Sequence, residues 1–237
     1  MKQIQLLLIC SVVFLLTTSA ANAQDGQANK YGLKVITNVE DLKNSIANSP
    51  SKAMTDLKKS IPGLVVDMRY AGADNFMHQR LYPFGARAWL RKAAADSLAV
   101  VQKELKEKGL GLKIFDAYRP WSITDMMWEK VKDDRYAADP RKGSNHNRGV
   151  AVDLTIIDLN TRKEWQMGTG FDNFSDTAHH AFMELSADVL QHRMILKTTM
   201  EKHGFKALDT EWWHYSLVNA GDFELLDVGF EELKKMK

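Results

Sequence analysis

The sequence predicts an α+β single domain with a central, mostly antiparallel sheet flanked by helices. Three observations lead there. Two long segments, Arg87–Lys108 and Thr177–His203, carry apolar residues at helical spacing. Four others, Leu64–Tyr70, Leu112–Tyr118, Val150–Ile157 and Trp212–Val218, are rich in β-branched and aromatic residues. The two kinds mix without a strict strand–helix–strand rhythm, which argues against a doubly wound α/β architecture.

Residues 1–23 read as a signal peptide. Lys2 precedes an almost unbroken apolar run, Ile4–Leu16, and Ala21-Asn22-Ala23 supplies the small-x-small pattern of a cleavage site. The run falls short of the roughly 20 apolar residues that span a bilayer, so no stable membrane insertion is expected after cleavage near Ala23. The mature protein is then periplasmic or secreted. Cys10 is the chain's one cysteine, and it lies in this segment with no small-residue lipobox before it. The mature chain therefore has no disulfide, no thiol nucleophile and no zinc–thiolate site.

Residues 24–62 read as an N-terminal extension, opening on the polar stretch Gln24–Lys30. Residues 63–237 read as the main folded domain, the one that holds the chemistry-bearing segments described below. The 32 Lys and Arg nearly balance the 30 Asp and Glu, and no basic stripe with interleaved aromatics occurs, which excludes nucleic acid as a partner.

Along the chain, Val39–Ile46 predicts a short helix that Pro50 stops. The strand Leu64–Tyr70 runs into a turn at Ala71–Asn75. In Arg87–Lys108, the residues Leu90, Ala94, Leu98, Val101 and Leu105 form the apolar stripe, and Gly109 supplies a C-cap. Leu112–Tyr118 leads straight into Arg119-Pro120, then Ile123–Val131 predicts a helix with Met127 and Trp128 packed. Asp133–Gly143 is charged and turn-rich, a surface loop able to rim a cleft. In Thr177–His203, the longest predicted helix, Phe182, Leu185, Val189, Leu196 and Met200 share a stripe, and Gly204 follows. Trp212–Val218 is expected to be the final strand.

Two segments carry chemistry. Ser144–Asp153 places His146 in a polar loop and Asp153 within the next strand, on the face of Ala151 and opposite Val150, Val152 and Leu154. An ionised carboxylate inside a strand is unfavourable unless it is paired or binds a metal. Glu211–Tyr215 sets His214 between large aromatics. His146, Asp153 and His214 would make three protein ligands with a fourth position open to water, as at a catalytic zinc. Glu211 and His214 can face one point only if Glu211 precedes regular pleating, since residues three apart on a strand point oppositely. The competing readings are a packed core His214, and Asp153 paired with Arg119 or Arg148. His179 and His180 are rival imidazoles, but neighbours on a helix diverge by about 100°. Arg119 stands at a strand end fixed by Pro120, facing a cleft or paired with Asp116.

Taken together, these segments resemble the zinc D-alanyl-D-alanine dipeptidases, within the wider D-Ala-D-Ala carboxypeptidase and hedgehog-like fold superfamily. The residues that carry the likeness appear in family order. They are Asp67-Met68-Arg69-Tyr70 with Asp74-Asn75-Phe76, Asp116-Ala117-Tyr118-Arg119-Pro120, Ser144-x-His146-x-x-Gly149-x-Ala151-x-Asp153, Met167-Gly168 to Asp172, Ser175 to His180, and Glu211-Trp212-Trp213-His214-Tyr215. The resemblance implies one Zn2+ per chain on His146, Asp153 and His214. It implies Glu211 as catalytic base and Arg119 as the group that polarises the scissile carbonyl. Asp172 is similar to the residue that receives the substrate's ammonium, and Ser144 and Tyr70 to residues lining the pocket. The implied substrate is a small dipeptide with a free N-terminus. The alternatives are a peptidoglycan D,D- or L,D-carboxypeptidase with the same metal chemistry, and a zinc-binding domain without turnover.

Overall fold

The computed structural model describes residues 27–236, so the predicted signal segment Met1–Ala23 lies outside the described residues. Among the described residues, no helix is long and apolar enough to cross a membrane. Strand β1 (Gln27–Ala28) pairs antiparallel with β2 (Lys34–Ile36). Helix α1 (Val39–Asn48) follows where expected. The Asn38 side chain caps it by accepting the Asp41 backbone N–H, and it ends before Pro50. Strand β3 (Met54–Asp56) runs into one helical turn, α2 (Leu57–Ser60). Ile36, Leu42, Leu57 and Ile61 belong to the main hydrophobic core.

The strand expected over Leu64–Tyr70 shrinks to β4 (Val65–Val66). After it the chain turns into a 3-10 segment, Arg69–Ala71, that buries Tyr70. The helix expected from Arg87 begins only at Lys92. Trp89–Arg91 forms β5 against β3, and α3 spans Lys92–Lys106. Arg91 explains the shift. Its side chain is fully buried and donates to the Lys52 carbonyl (2.7 Å), the Arg148 carbonyl (3.1 Å) and the Glu224 carboxylate (3.3 Å). Its own N–H donates to the Gly149 carbonyl at 2.7 Å. A helix starting at Arg87 would withdraw the residue from these partners. Leu90 is buried on β5 instead, while Ala94, Leu98, Val101 and Leu105 keep the apolar face of α3.

Strand β6 (Leu110–Asp116), helix α4 (Trp121–Val131) and strand β7 (Ala151–Asp158) come next, with the expected surface loop between α4 and β7. The predicted helix Thr177–His203 is cut down to α5 (Ala187–Lys202), capped by Ser186. Residues 179–186 stay irregular because the buried guanidinium of Arg193 takes the Thr177 and His179 carbonyls at 2.9 and 3.1 Å. That fastens the segment beside the helix, so Phe182 and Leu185 fall off the predicted stripe. Strands β8 (Phe205–Leu208) and β9 (Glu211–Leu217) complete a five-stranded sheet of order β4-β6-β7-β9-β8. Only its β4–β6 pair is parallel, as a mostly antiparallel sheet requires. Helices α3 and α5 touch each other and pack on β6 and β8.

Strand β9 is not the last. Strand β10 (Leu225–Leu226) pairs parallel with β2, and α6 (Phe230–Lys235) follows. The sequence signal for β10 is only two residues long, too short to register as a strand.

Arg91→Met should lower unfolding free energy by about 2–4 kcal/mol in urea titrations, because two carbonyls and the Glu224 carboxylate lose a buried partner. A loss under about 1 kcal/mol would show that Arg91 does not set this junction.

Candidate active site

Sheet register makes the first contact. Asp153 on β7 and His214 on β9 stand directly opposite each other. Alternation then places Asp153 with Thr155, and His214 with Trp212, on one face. His146 arrives from the loop before β7, which the buried Asn147 shapes. The Asn147 amide donates to the Arg119 carbonyl (3.0 Å) and Thr124 Oγ1 (2.8 Å), and its Oδ1 accepts the Ser144 N–H (2.8 Å). Gly149 returns the loop into β7 at φ +70°, where a Cβ would stand 3.3 Å from Met54. Glycine meets both demands.

The three donors fit a metal ion. His146 Nε2 lies 3.2 Å from His214 Nδ1 and 3.4 Å from Asp153 Oδ2, and His214 Nδ1 lies 3.0 Å from Asp153 Oδ1. A tetrahedral ion with bonds of about 2.0–2.1 Å holds its ligand atoms roughly 3.3 Å apart. His146 Nδ1–H donates to the Ala117 carbonyl at 2.6 Å, which leaves the Nε2 lone pair facing the cluster. Two imidazoles and a carboxylate without thiolate form a donor set suited to zinc. Neither arginine takes Asp153: Arg148 donates to the Phe223 carbonyl and Arg119 pairs with Asp116.

Glu211 opens β9 at a register irregularity against Ala207 and Leu208 of β8. The break in pleating lets its Oε2 come within 3.9 Å of His214 Nδ1, although the residues are three apart. Burial pushes the Glu211 carboxyl above its ordinary range, against the opposing charge of His214. Burial acts the same way on Asp153, but the neighbouring imidazoles of His146 and His214 hold that carboxyl well below its usual value. The neighbouring carboxylates of the site therefore differ in basicity.

Arg119 is both buried and paired. Its Nη2 and Nε lie 2.7 and 3.1 Å from Asp116 Oδ2, whose other oxygen accepts the Tyr82 hydroxyl at 2.8 Å. Its Cζ stands 5.1 Å from the Tyr70 ring. Asp172 has φ +59° and accepts the Tyr70 hydroxyl (3.1 Å) and the Phe76 N–H (3.3 Å). Burial pushes its carboxyl up to about 7, against the hydrogen bond from Phe76. Ser144 Oγ accepts the His146 N–H at 3.2 Å.

His146, Asp153, His214, Glu211, Arg119, Asp172, Ser144 and Tyr70 all line one cavity of about 130 Å³. That is smaller than the roughly 300–1,000 Å³ of drug-sized pockets, and suits a very small ligand. The loop after α4 rims it through residues 134–138. Tyr136 and Phe174 meet edge to face at 4.9 Å across the rim. Sequence reasoning missed those two rings, and no local signal marks them, because two distant loops bring them together. The two readings of Arg119 hold together, since it lines the cavity and is paired with Asp116.

Neither rival imidazole, His179 or His180, joins the cluster or stands on the expected helix. His179 follows the 3-10 turn Asp176–Ala178 with its Nε2 3.9 Å from Asp176, and the remaining histidines lie elsewhere. His192 stacks on Trp165, His203 pairs with Glu104 at 2.7 Å, and His78 lines a separate cleft. The His180 N–H donates to the Asp209 carbonyl, and burial draws its imidazole down to about 4.

Known proteins can be set beside this geometry. The profile of a family described as D-ala-D-ala dipeptidase matches residues 50–235. A D-alanyl-D-alanine dipeptidase of Escherichia coli (strain K12) is 35% identical over 178 residues, 75% of this chain and 91% of that one. One from Enterococcus faecalis (strain ATCC 700802 / V583) is 30% identical over 182 residues, 69% of this chain and 90% of its own. Among solved structures, VanYB in complex with D-Alanine-D-Alanine is a distant likeness, 15% identical with a TM-score of 0.36, covering 65% of this chain and 87% of that one.

Elemental analysis after dialysis against zinc should give one ion per chain, lost on chelation. His146→Ala, Asp153→Ala and His214→Ala should each fall well below that ratio while Glu211→Gln keeps it; an unchanged ratio in any of the three would remove that residue from the cradle. Asp172 makes a separate prediction for protein freed of metal. Its unfolded carboxyl ionises near 4 and its folded one near 7, so its cost to stability is absent below pH 4, grows between, and is complete above 7. The stability advantage of Asp172→Asn should accordingly grow by about 3 kcal/mol from pH 5 to pH 8, or roughly 6–12 °C in Tm. A pH-independent difference would contradict the burial of this charge.

Proposed function

We propose, since the chain belongs to the D-Ala-D-Ala dipeptidase family, that it is a zinc-dependent dipeptidase hydrolysing D-alanyl-D-alanine and similar dipeptides with a free N-terminus. One observation carries the reading. A three-donor metal cradle, a desolvated carboxylate, a buried arginine and a second buried carboxylate face a single cavity of about 130 Å³.

His146, Asp153 and His214 would hold one zinc ion, which supplies Lewis acidity that polarises a carbonyl and brings the pKa of a water to about 7. Glu211 takes the proton of the attacking water and passes it to the departing amine as the carbon–nitrogen bond breaks. Its raised basicity suits both steps, a role worth roughly 10²–10⁴ in rate. Arg119, held by Asp116 and backed by the Tyr70 ring, donates N–H groups to the carbonyl oxygen as negative charge gathers there. Because Asp116 fixes the guanidinium beforehand, little reorganisation is needed during reaction. Asp172 receives the substrate ammonium and so places the scissile bond one residue from the N-terminus. Ser144 and Tyr70 complete the wall. A dipeptide lacking that ammonium leaves a buried carboxylate unpaired, which disfavours it.

The reading extends to an exported enzyme. The apolar run Ile4–Leu16 followed by Ala21-Asn22-Ala23 supports cleavage near Ala23 and action in the periplasm or outside the cell.

The decisive test is steady-state hydrolysis of D-Ala-D-Ala by the zinc-loaded protein and its Glu211→Gln variant. The wild type should turn over, and the variant should lose about 10²–10⁴ in kcat while retaining its metal. A zinc-loaded wild type that cleaves no dipeptide would refute the assignment.

A further inference from the structure

The loop that carries His146 is supported from behind by a part of the chain to which the dipeptidase reading gives no task. Residues 27–49 precede the stretch 50–235 that matches the family profile, and none of the residues named for the reaction lies among them. We infer that residues 30–36 are a positioning element for the metal site. Through β10 and the start of α4 they hold residues 144–149 in the form that presents His146 to the ion. This rests on the zinc reading of the site and deepens it.

Strand β10 is the first link. Among the described residues it pairs with β2 alone, Val35 opposite Leu225 and Ile36 opposite Leu226. The Asp227 N–H adds a bond to the Ile36 carbonyl at 2.7 Å. On its other side β10 meets the loop. The Leu226 N–H donates to the Asn147 carbonyl at 2.9 Å, and Gly143 passes so close to Leu225 that a Cβ would stand 2.6 Å from its Cδ2. A two-residue strand has little stability of its own, so β2 is what secures it. Helix α4 is the second link. Its first residue, Trp121, packs with Val35 and Leu225 in a small core separate from the main one, and Tyr31 and Leu33 cover it. Tyr31 meets the indole edge to face at 6.1 Å and donates its hydroxyl to Asp125 at 3.3 Å, and Lys30 pairs with Asp125 at 2.8 Å. The same helix carries Thr124, whose hydroxyl oxygen accepts the Asn147 amide at 2.8 Å. Both links end on Asn147, next in sequence to His146.

The consequence falls on one ligand of the three. Asp153 and His214 are set by register within the five-stranded sheet, whose strands are buried in the main core. His146 comes from a loop, and a ligand on a loop is only as well placed as the groups that support it. The loop is also tied to Arg119, whose backbone N–H donates to the His146 carbonyl at 3.2 Å and whose carbonyl accepts the Asn147 amide at 3.0 Å. Undocking residues 30–36 opens the small core and leaves the sheet intact, so the loss concentrates on His146.

Support of the loop can be separated from stability in general. Val35→Asp places a charge in the small core and undocks the segment. Tyr31→Ala combined with Leu33→Ala undocks it without a buried charge, and decides the matter if the first variant is not recovered folded. Leu105→Ala opens a cavity in the main core and controls for lost stability as such. Hydrogen exchange of the metal-free proteins reads the loop through the amides of Gly149 and Val150, which donate to the His146 and Asn145 carbonyls. Relative to the amides of β7, these should exchange at least about tenfold faster in the undocked variants and at the wild-type ratio in Leu105→Ala. Chelator competition should give zinc dissociation constants about tenfold weaker in the undocked variants, with Leu105→Ala and Val35→Ile near wild type. The exchange measurement needs neither zinc nor turnover, so failure of D-Ala-D-Ala hydrolysis and failure of the support are separate results. Either readout staying at its wild-type value while the β2 amides exchange freely overturns the proposal.

Discussion

The pairing of Asp153 with His214 across β7 and β9 is the constraint on which the site depends. Directly opposed residues of an antiparallel pair have Cβ atoms about 4.5–5.5 Å apart, so register alone brings a carboxylate to an imidazole. A slip of one residue would send both to the opposite face. The apolar faces of the same strands forbid it, because Val152, Leu154 and Tyr215 are buried in the core. Packing thus fixes the chemistry. His146 joins through a loop whose form Asn147 and Gly149 set, and the Ala117 carbonyl turns its ring.

Around that centre, charge is buried in a way that requires partners. Asp116, Arg119, His146 and Asp153 are each less than a tenth exposed. Each has a charged or hydrogen-bonding counterpart, as buried ionic groups require. Asp116 anchors Arg119 and also takes the Tyr82 hydroxyl, so the guanidinium is held by the core. Glu211 and Asp172 have weaker counterparts, His214 at 3.9 Å for the first and the Tyr70 hydroxyl and Phe76 N–H for the second. Burial raises both carboxyls in spite of those partners, and these are the two groups that the proposed reaction asks to accept a proton and to take up an ammonium.

Much of this was legible in the sequence. An acidic residue inside the apolar strand Val150–Ile157 and a histidine flanked by aromatics are local anomalies, and local anomalies are readable. The resemblance of ordered motifs then joined segments that spacing could not. What escaped depends on tertiary contacts. Trp89–Arg91 has the apolar spacing of the helix that follows it, yet Arg91 is held as strand by Lys52, Arg148 and Glu224, all distant in sequence. Residues 179–186 continue a helical stripe on paper, but Arg193 claims the Thr177 and His179 carbonyls. Strand β4 ends early because Tyr70 turns inward to meet Asp172 and Arg119.

The central claim is that two imidazoles and one carboxylate from separate parts of the chain bind a single ion. X-ray absorption at the zinc edge of the zinc-loaded protein addresses it most directly. The account predicts a four-coordinate spectrum with two imidazole scatterers, oxygen in the remaining positions, first-shell distances of about 2.0–2.1 Å and no sulfur. A first shell with one imidazole or none would contradict it.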